Sequence, residues 1–171
     1  METTRLIIRP FTPADADDLY AYLSREEVVR YEPYEPFTRD QAAKEAVRRA
    51  SDPNFHAVVL KETGRVIGNL YFAPGDFDTW ELGYVFHDAY WGRGYAAEAC
   101  KALLAETFDS GKVRRVIAMC NPENAASWRL LERLGMRREG HLRKNIWFNK
   151  DEAGQPVWQD TYEYAILREE Y

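Results

Sequence analysis

The stretch Tyr84-Val-Phe-His-Asp-Ala-Tyr-Trp-Gly-Arg-Gly-Tyr-Ala-Ala97 leaves a chain few ways to fold. A strand-like run, Trp80-Glu-Leu-Gly-Tyr-Val-Phe86, leads into it and ends at His87-Asp88. An alanine-rich helical run leaves it, from Tyr95 to about Phe108. Gly92 and Gly94 let the loop between them adopt positive φ and put no Cβ in the way of a ligand. The first turn of the following helix has N–H groups with no intrahelical partner, and the aligned peptide dipoles give that end roughly half a positive charge. Strand, glycine loop and helix N-terminus together predict a seat for a phosphate or pyrophosphate, with Arg93 as a charged donor at its rim. A bare Gly-x-Gly would as readily be a tight turn. The strand before it and the helix after it favour the anion site.

The remaining elements follow from period and punctuation. Arg5–Arg9 reads as a first strand stopped by Pro10, and Thr12-Pro13 opens a helix to about Leu23, with Asp15, Asp17 and Asp18 in its first turn. Thr38 caps a second helix over 39–50. Strands at 56–60 and 65–72 flank the hairpin signal Glu62-Thr-Gly64. The helix after the glycine loop leads to a strand at 113–119, which should lie parallel to 80–86 through a right-handed crossover. Asn121-Pro122-Glu123 reads as the start of a helix ending at Gly135. Strands over 141–148 and 157–167 close the chain. The expected architecture is a single α/β domain over 1–171: a mixed, mostly antiparallel sheet of about seven strands, with a parallel, splayed central pair and helices on both faces.

Composition narrows the function. A formal charge of −5 argues against nucleic acid held by charge and suits a cationic or amine-bearing acceptor. Cys100 and Cys120 lack Cys-x-x-Cys spacing, so neither a metal site nor a disulfide framework is expected. The N-terminus has no apolar signal core, and no apolar run approaches the roughly 18 residues of a membrane helix. A cytoplasmic protein with no membrane partner is expected. The segment Arg30-Tyr-Glu-Pro-Tyr-Glu-Pro-Phe37 can be neither helix interior nor central strand. It is either a surface connection or a lip over the acceptor, with Tyr31 and Tyr34 as aromatics and Glu32 and Glu35 drawing in a cation. Asn124, Ser127 and Leu131 face one way on their helix, and polar groups set in an apolar stripe call for a ligand or a local partner.

In order along the chain, Thr4-Arg-Leu-Ile-Ile-Arg-Pro10, Glu81-Leu-Gly-Tyr84, Tyr90-Trp-Gly-Arg-Gly-Tyr-Ala96, Asn121-Pro-Glu-Asn-Ala-Ala-Ser127, Leu131-Glu-Arg-Leu-Gly-Met136 and Asp160-Thr-Tyr-Glu-Tyr-Ala-Ile-Leu167 resemble the GCN5-related N-acetyltransferase (GNAT) superfamily. They are most similar to its RimJ/RimL branch of ribosomal-protein N-terminal acetyltransferases. The resemblance implies acetyl-CoA as cosubstrate, bound between the splayed strands 80–86 and 113–119. Its pantetheine arm would lie along Tyr84, Val85 and Phe86, its pyrophosphate on Trp91, Gly92, Arg93, Gly94, Tyr95 and Ala96, and Asn124 would reach the arm. Two positions depart from the family pattern. Trp91 stands where the loop usually begins with Gln or Arg. Leu131 stands where many members place a tyrosine that protonates the leaving thiolate, which leaves Ser127 as the replacement donor.

Acetyl transfer to an amine needs a base for the ammonium and an N–H donor for the carbonyl oxygen. The base candidate is Glu81, with His87 second and Tyr84 or Tyr31 as further hydrogen-bonding groups. A strand distorted near Val85 or Phe86 would supply the N–H. A dinucleotide-dependent oxidoreductase is the first rival, but the acidic residue expected about 20 positions after the glycines is missing. A non-catalytic CoA-binding regulator is the second. The acceptor stays open among a protein N-terminus, an antibiotic amine and a small amine such as a polyamine, and oligomerisation is left open too.

Overall fold

The computed structural model describes all 171 residues. Strand β1 (Leu6–Pro10) is followed by a one-turn 3-10 helix and α1 (Ala16–Leu23), the short α2 (Glu26–Val29) and α3 (Arg39–Ala50). Then come β2 (Phe55–Leu60), β3 (Val66–Pro74), β4 (Thr79–Phe86), α4 (Tyr95–Asp109), β5 (Arg115–Cys120), α5 (Ala125–Arg133), β6 (Arg137–Lys150) and β7 (Pro156–Leu167). One seven-stranded sheet runs β1-β2-β3-β4-β5-β7-β6. Every neighbouring pair is antiparallel except β4 with β5.

The central strands are apolar on both faces because helices cover both. Val58 and Leu60 join the core beneath α4 and α5, where Leu103, Leu104 and Leu131 are buried. Ala57 and Val59 turn to the opposite core, with Leu19, Leu23 and Ala46 from α1 and α3. Gly68 is required on β3 by close approach rather than by φ. A Cβ there would lie 2.6 Å from the Val85 carbonyl oxygen and 2.6 Å from the Phe86 ring.

Three elements differ from the sequence reading. The first helix begins as a 3-10 turn over Pro13–Asp15, because Asp15 folds back to accept from the Thr12 N–H at 2.7 Å and pairs with Arg9 at 2.7 Å. Helix α2 was not anticipated; its four residues are too few to show a period. Helix α5 starts at Ala125, not Pro122. Its cap is Asn124, whose Oδ1 accepts from the Ser127 N–H at 3.2 Å, whereas Asn121 closes a local turn onto the Glu123 N–H.

Candidate active site

The parallel pair at the centre is short. Thr79, Trp80 and Glu81 face Arg115, Val116 and Ile117, and there the pairing stops. Beyond that point β5 stays with β7 as far as Cys120, while β4 stays with β3 as far as Phe86. The half of β4 carrying Leu82 to Phe86 therefore has no strand partner on its β5 side, and a wedge opens between the two strands. Its main-chain groups on that edge are available to an extended ligand. The expected distortion at Val85 or Phe86 is not found. β4 pairs with β3 without a register shift from Pro74–Trp80 to Gly68–Phe86, so the splay, not a bulge, frees the strand edge.

The wedge points at the start of α4. Gly94 is the residue before the helix, with φ 80°, and no side chain caps the first turn. The N–H groups of Tyr95, Ala96 and Ala97 thus lack both a helical partner and a cap. Gly92 has φ 73°, and a Cβ built on it would meet nothing within 4 Å. The loop is held from outside. Trp91 Nε1 donates to the Phe86 carbonyl at 2.8 Å, and Arg5 donates to the Arg93 carbonyl at 3.0 Å while its guanidinium sits 4.3 Å from the Tyr95 ring centre. Glu98, in the first turn of α4, would repel a phosphate. It is instead occupied by the Thr3 hydroxyl at 2.5 Å, the Arg5 N–H at 2.9 Å and Arg5 Nε at 2.7 Å, and these contacts hold its carboxyl below the usual range. Of the loop residues read from sequence, Trp91 and Tyr95 turn their rings to structural work. Tyr95 is buried in the core, which leaves only its main chain for a ligand.

From the unpaired half of β4, the Tyr84 hydroxyl reaches α5. It donates to the Ser127 carbonyl at 3.1 Å, and the two hydroxyls lie 2.9 Å apart. Burial pushes the Tyr84 phenol well above its ordinary value, so it stays a neutral donor. Leu131 is fully buried in the core and takes no part. The pair Tyr84–Ser127 joins residues 43 apart and gave no signal in the sequence.

A cavity of about 840 Å³ opens from this point toward the 31–37 segment and α3, with β6 and β7 on its other side. Tyr84, Val85, Asn124, Ser127 and Cys120 line its inner end, and Tyr31, Glu32, Tyr34 and Glu81 line its approach. Tyr31 donates to the Glu123 carbonyl at 3.4 Å, which ties the irregular segment to the turn before α5. Glu81 is exposed, at the last paired position of β4, and also borders a second, smaller hollow on the outer side. Glu32 is half-buried beside Tyr34, and burial pushes its carboxyl up to about 7 despite that neighbour and Arg49. Arg49 is buried behind it, donating to Glu45 at 2.7 Å and to Asn69 at 2.9 Å. Glu35 is exposed and is not among the residues lining the cavity. His87 Nδ1 accepts from the Ala89 N–H at 3.2 Å, which is a turn role. Neither Arg49 nor Asn69 was singled out in the sequence, yet both line the cavity.

Residues 5–137 match the family model described as "Acetyltransferase (GNAT) domain". The chain belongs to the GNAT family of acetyltransferases. It is 38% identical to the N-acetyltransferase YnaD of Bacillus subtilis over 99% of this chain and 97% of that one. A GNAT-family acetyltransferase from Bacillus anthracis superposes with a TM-score of 0.91 at 34% identity, over 99% of both chains. Ribosomal-protein-S5-alanine acetyltransferase from Vibrio fischeri shares the fold, with a TM-score of 0.80 at 20% identity over 100% of this chain and 97% of that one.

The GNAT assignment makes the protein an acetyl-CoA-dependent acyltransferase, and the residues present fit that cosubstrate. The uncapped N–H groups of α4 and the open space over Gly92 suit a pyrophosphate, and the unpaired edge of β4 suits an extended arm. Acetyl-CoA supplies its acetyl group as a thioester. The chain's part is to hold the arm, to receive a proton from the acceptor and to return one to sulfur.

Proposed function

We propose that this N-acetyltransferase belongs with the RimJ/RimL-like branch and acetylates a primary amine on a cationic acceptor, of which the N-terminus of a basic protein, ribosomal in kind, is the first candidate. The observation that carries this reading is the charge of the cavity. Its two arginines are already paired within the protein, Arg48 with Glu45 and Asp52, and Arg49 with Glu45. Asp160 is matched by Arg143 and His141. Glu32 and Glu81 line the same space and neither is in a salt bridge, the nearby Arg49 being held by Glu45. A positively charged acceptor completes them, and an anionic one is repelled.

In this reading Tyr84, Val85 and Phe86 hold the pantetheine arm. The main chain of Trp91 to Ala96 receives the pyrophosphate, and Asn124, its Oδ1 engaged as a cap, offers its amide N–H to the arm. Tyr84, backed by Ser127, gives the departing sulfur its proton, and Tyr31 and Tyr34 flank the acceptor. A polyamine is the second reading, because the cavity's mixture of aromatic rings and carboxylates also suits a chain of ammonium groups.

The test is calorimetry with acetyl-CoA, followed by mass spectrometry of acetylation on an alanine-led basic peptide, spermine and kanamycin. Binding of acetyl-CoA, with acetyl transfer to the peptide or spermine and none to an acidic peptide of equal length, is the expected outcome. Preference for the acidic peptide overturns the charge argument.

A further inference from the structure

We propose that Glu32, on the irregular segment roofing the cavity, is the general base that removes the proton from the acceptor's ammonium; this rests on the acetyltransferase reading above. The position of that segment is the first support. Tyr31 is anchored to the Glu123 carbonyl, next to the Asn124 that caps α5, which ties the segment carrying Glu32 to the end of the cavity that Ser127 lines. The second support is that Glu32 and Tyr84 line the same cavity, so an amine between them meets a proton acceptor and a proton donor at once. The third is the setting. Tyr34 lies beside the carboxyl on its own segment, and α3 presents Arg49 and Glu45. Tyr22 of α1 stands behind Arg49, bonded through Asn69, and Tyr71 and Glu81 close the opposite wall from β3 and β4.

Arg49 is the one cation that faces Glu32, and Glu45 already offsets it. Desolvation therefore wins, and the carboxyl titrates at about 7. A base whose acidity is matched to neutral pH both exists as the anion and holds the proton that it takes. The protons balance. Glu32 takes one from the ammonium and the freed nitrogen lone pair forms the N–C bond as the thioester C–S bond breaks. The nitrogen's second proton reaches sulfur through the Tyr84 hydroxyl, and Glu32 returns its own to solvent by the cavity mouth. Glu81, exposed at the floor, keeps the cation-attracting part.

The experiment compares wild type, Glu32→Gln, Glu32→Asp and Glu81→Gln, with acetyl-CoA binding by calorimetry as the control. With spermine and the alanine-led basic peptide as acceptors, Glu32→Gln is expected to lower kcat by a factor on the order of 10² and to leave the acetyl-CoA dissociation constant unchanged. The acidic limb of kcat/KM against pH, centred near 7 in wild type, is lost in Glu32→Gln and regained in part by Glu32→Asp. Carbon-13 carboxyl NMR of the whole protein should show one glutamate resonance that titrates at about 7 and is absent from Glu32→Gln. Retention of that limb in Glu32→Gln, or a Glu32 resonance in the ordinary glutamate range, overturns the proposal while leaving the acetyltransferase reading intact. Failure of the wild type to bind acetyl-CoA removes the reading itself.

Discussion

Glu32 carries a stability cost that can be measured apart from any chemistry. Burial pushes its carboxyl up to about 7 in the folded chain, against the ordinary 4.5 that it has when unfolded. Between those values the folded state holds the extra proton, so this group's contribution falls as pH rises through that window. Glu32→Gln should therefore be more stable than wild type by about 3 kcal/mol at pH 8 and no different at pH 4, as read by urea unfolding at the two pH values. Arg5 lends itself to a second single-residue test. It neutralises Glu98 and holds the glycine loop by the Arg93 carbonyl. Arg5→Ala should weaken acetyl-CoA binding roughly tenfold, about 1.4 kcal/mol. Adding Glu98→Gln should restore part of that loss, since the bared carboxylate is then gone; calorimetry on both variants decides it.

Two helix N-termini show how local sequence divides structure from function. Thr38 and Gln41 close a reciprocal box at the start of α3, with the Thr38 N–H donating to Gln41 Oε1 at 2.8 Å and the Gln41 N–H to Thr38 Oγ1 at 3.3 Å. Helix α4 begins instead on a left-handed glycine with no cap. Thr38→Ala should cost about 1 kcal/mol of unfolding free energy and leave acetyl-CoA affinity alone. Gly94→Ala puts a Cβ where φ is 80°, straining the loop by roughly 1–2 kcal/mol, and should lose acetyl-CoA affinity as well; thermal melts beside calorimetry separate the two. Both starts were legible, because cap and glycine signals act within a few residues. Asn121-Pro122 carried the same signal and misled, because Asn124 competes for the cap three residues later. The Tyr84–Ser127 contact and the burial of Glu32 were not legible. Both arise from packing between distant segments, and by composition alone Glu32 and Glu35 are alike.

Taken whole, the molecule is a sheet with two cores, one on each face, and the site lies where the sheet is least complete. The antiparallel hairpin pairs and the parallel crossover follow from connection lengths, which is why the architecture could be read so far ahead, whereas the placing of β7 rather than β6 beside β5 does not. The extent of the splay could not, since nothing in β4 or β5 says where pairing should end. The cavity's carboxylates come from the lip, from α3 and the turn after it, from β4 and from β7, so its charge is a property of the assembled protein and of no single motif.

Three matched residue pairs are all that join β1–β4 to β5–β7 across the sheet. A substrate arm lying along the open stretch would act as an extra rung between the two halves, closing a zipper the polypeptide leaves half undone. Cosubstrate should then raise the melting temperature with concentration. It should also slow amide exchange on both flanking strands together, although it touches only one of them through its main chain.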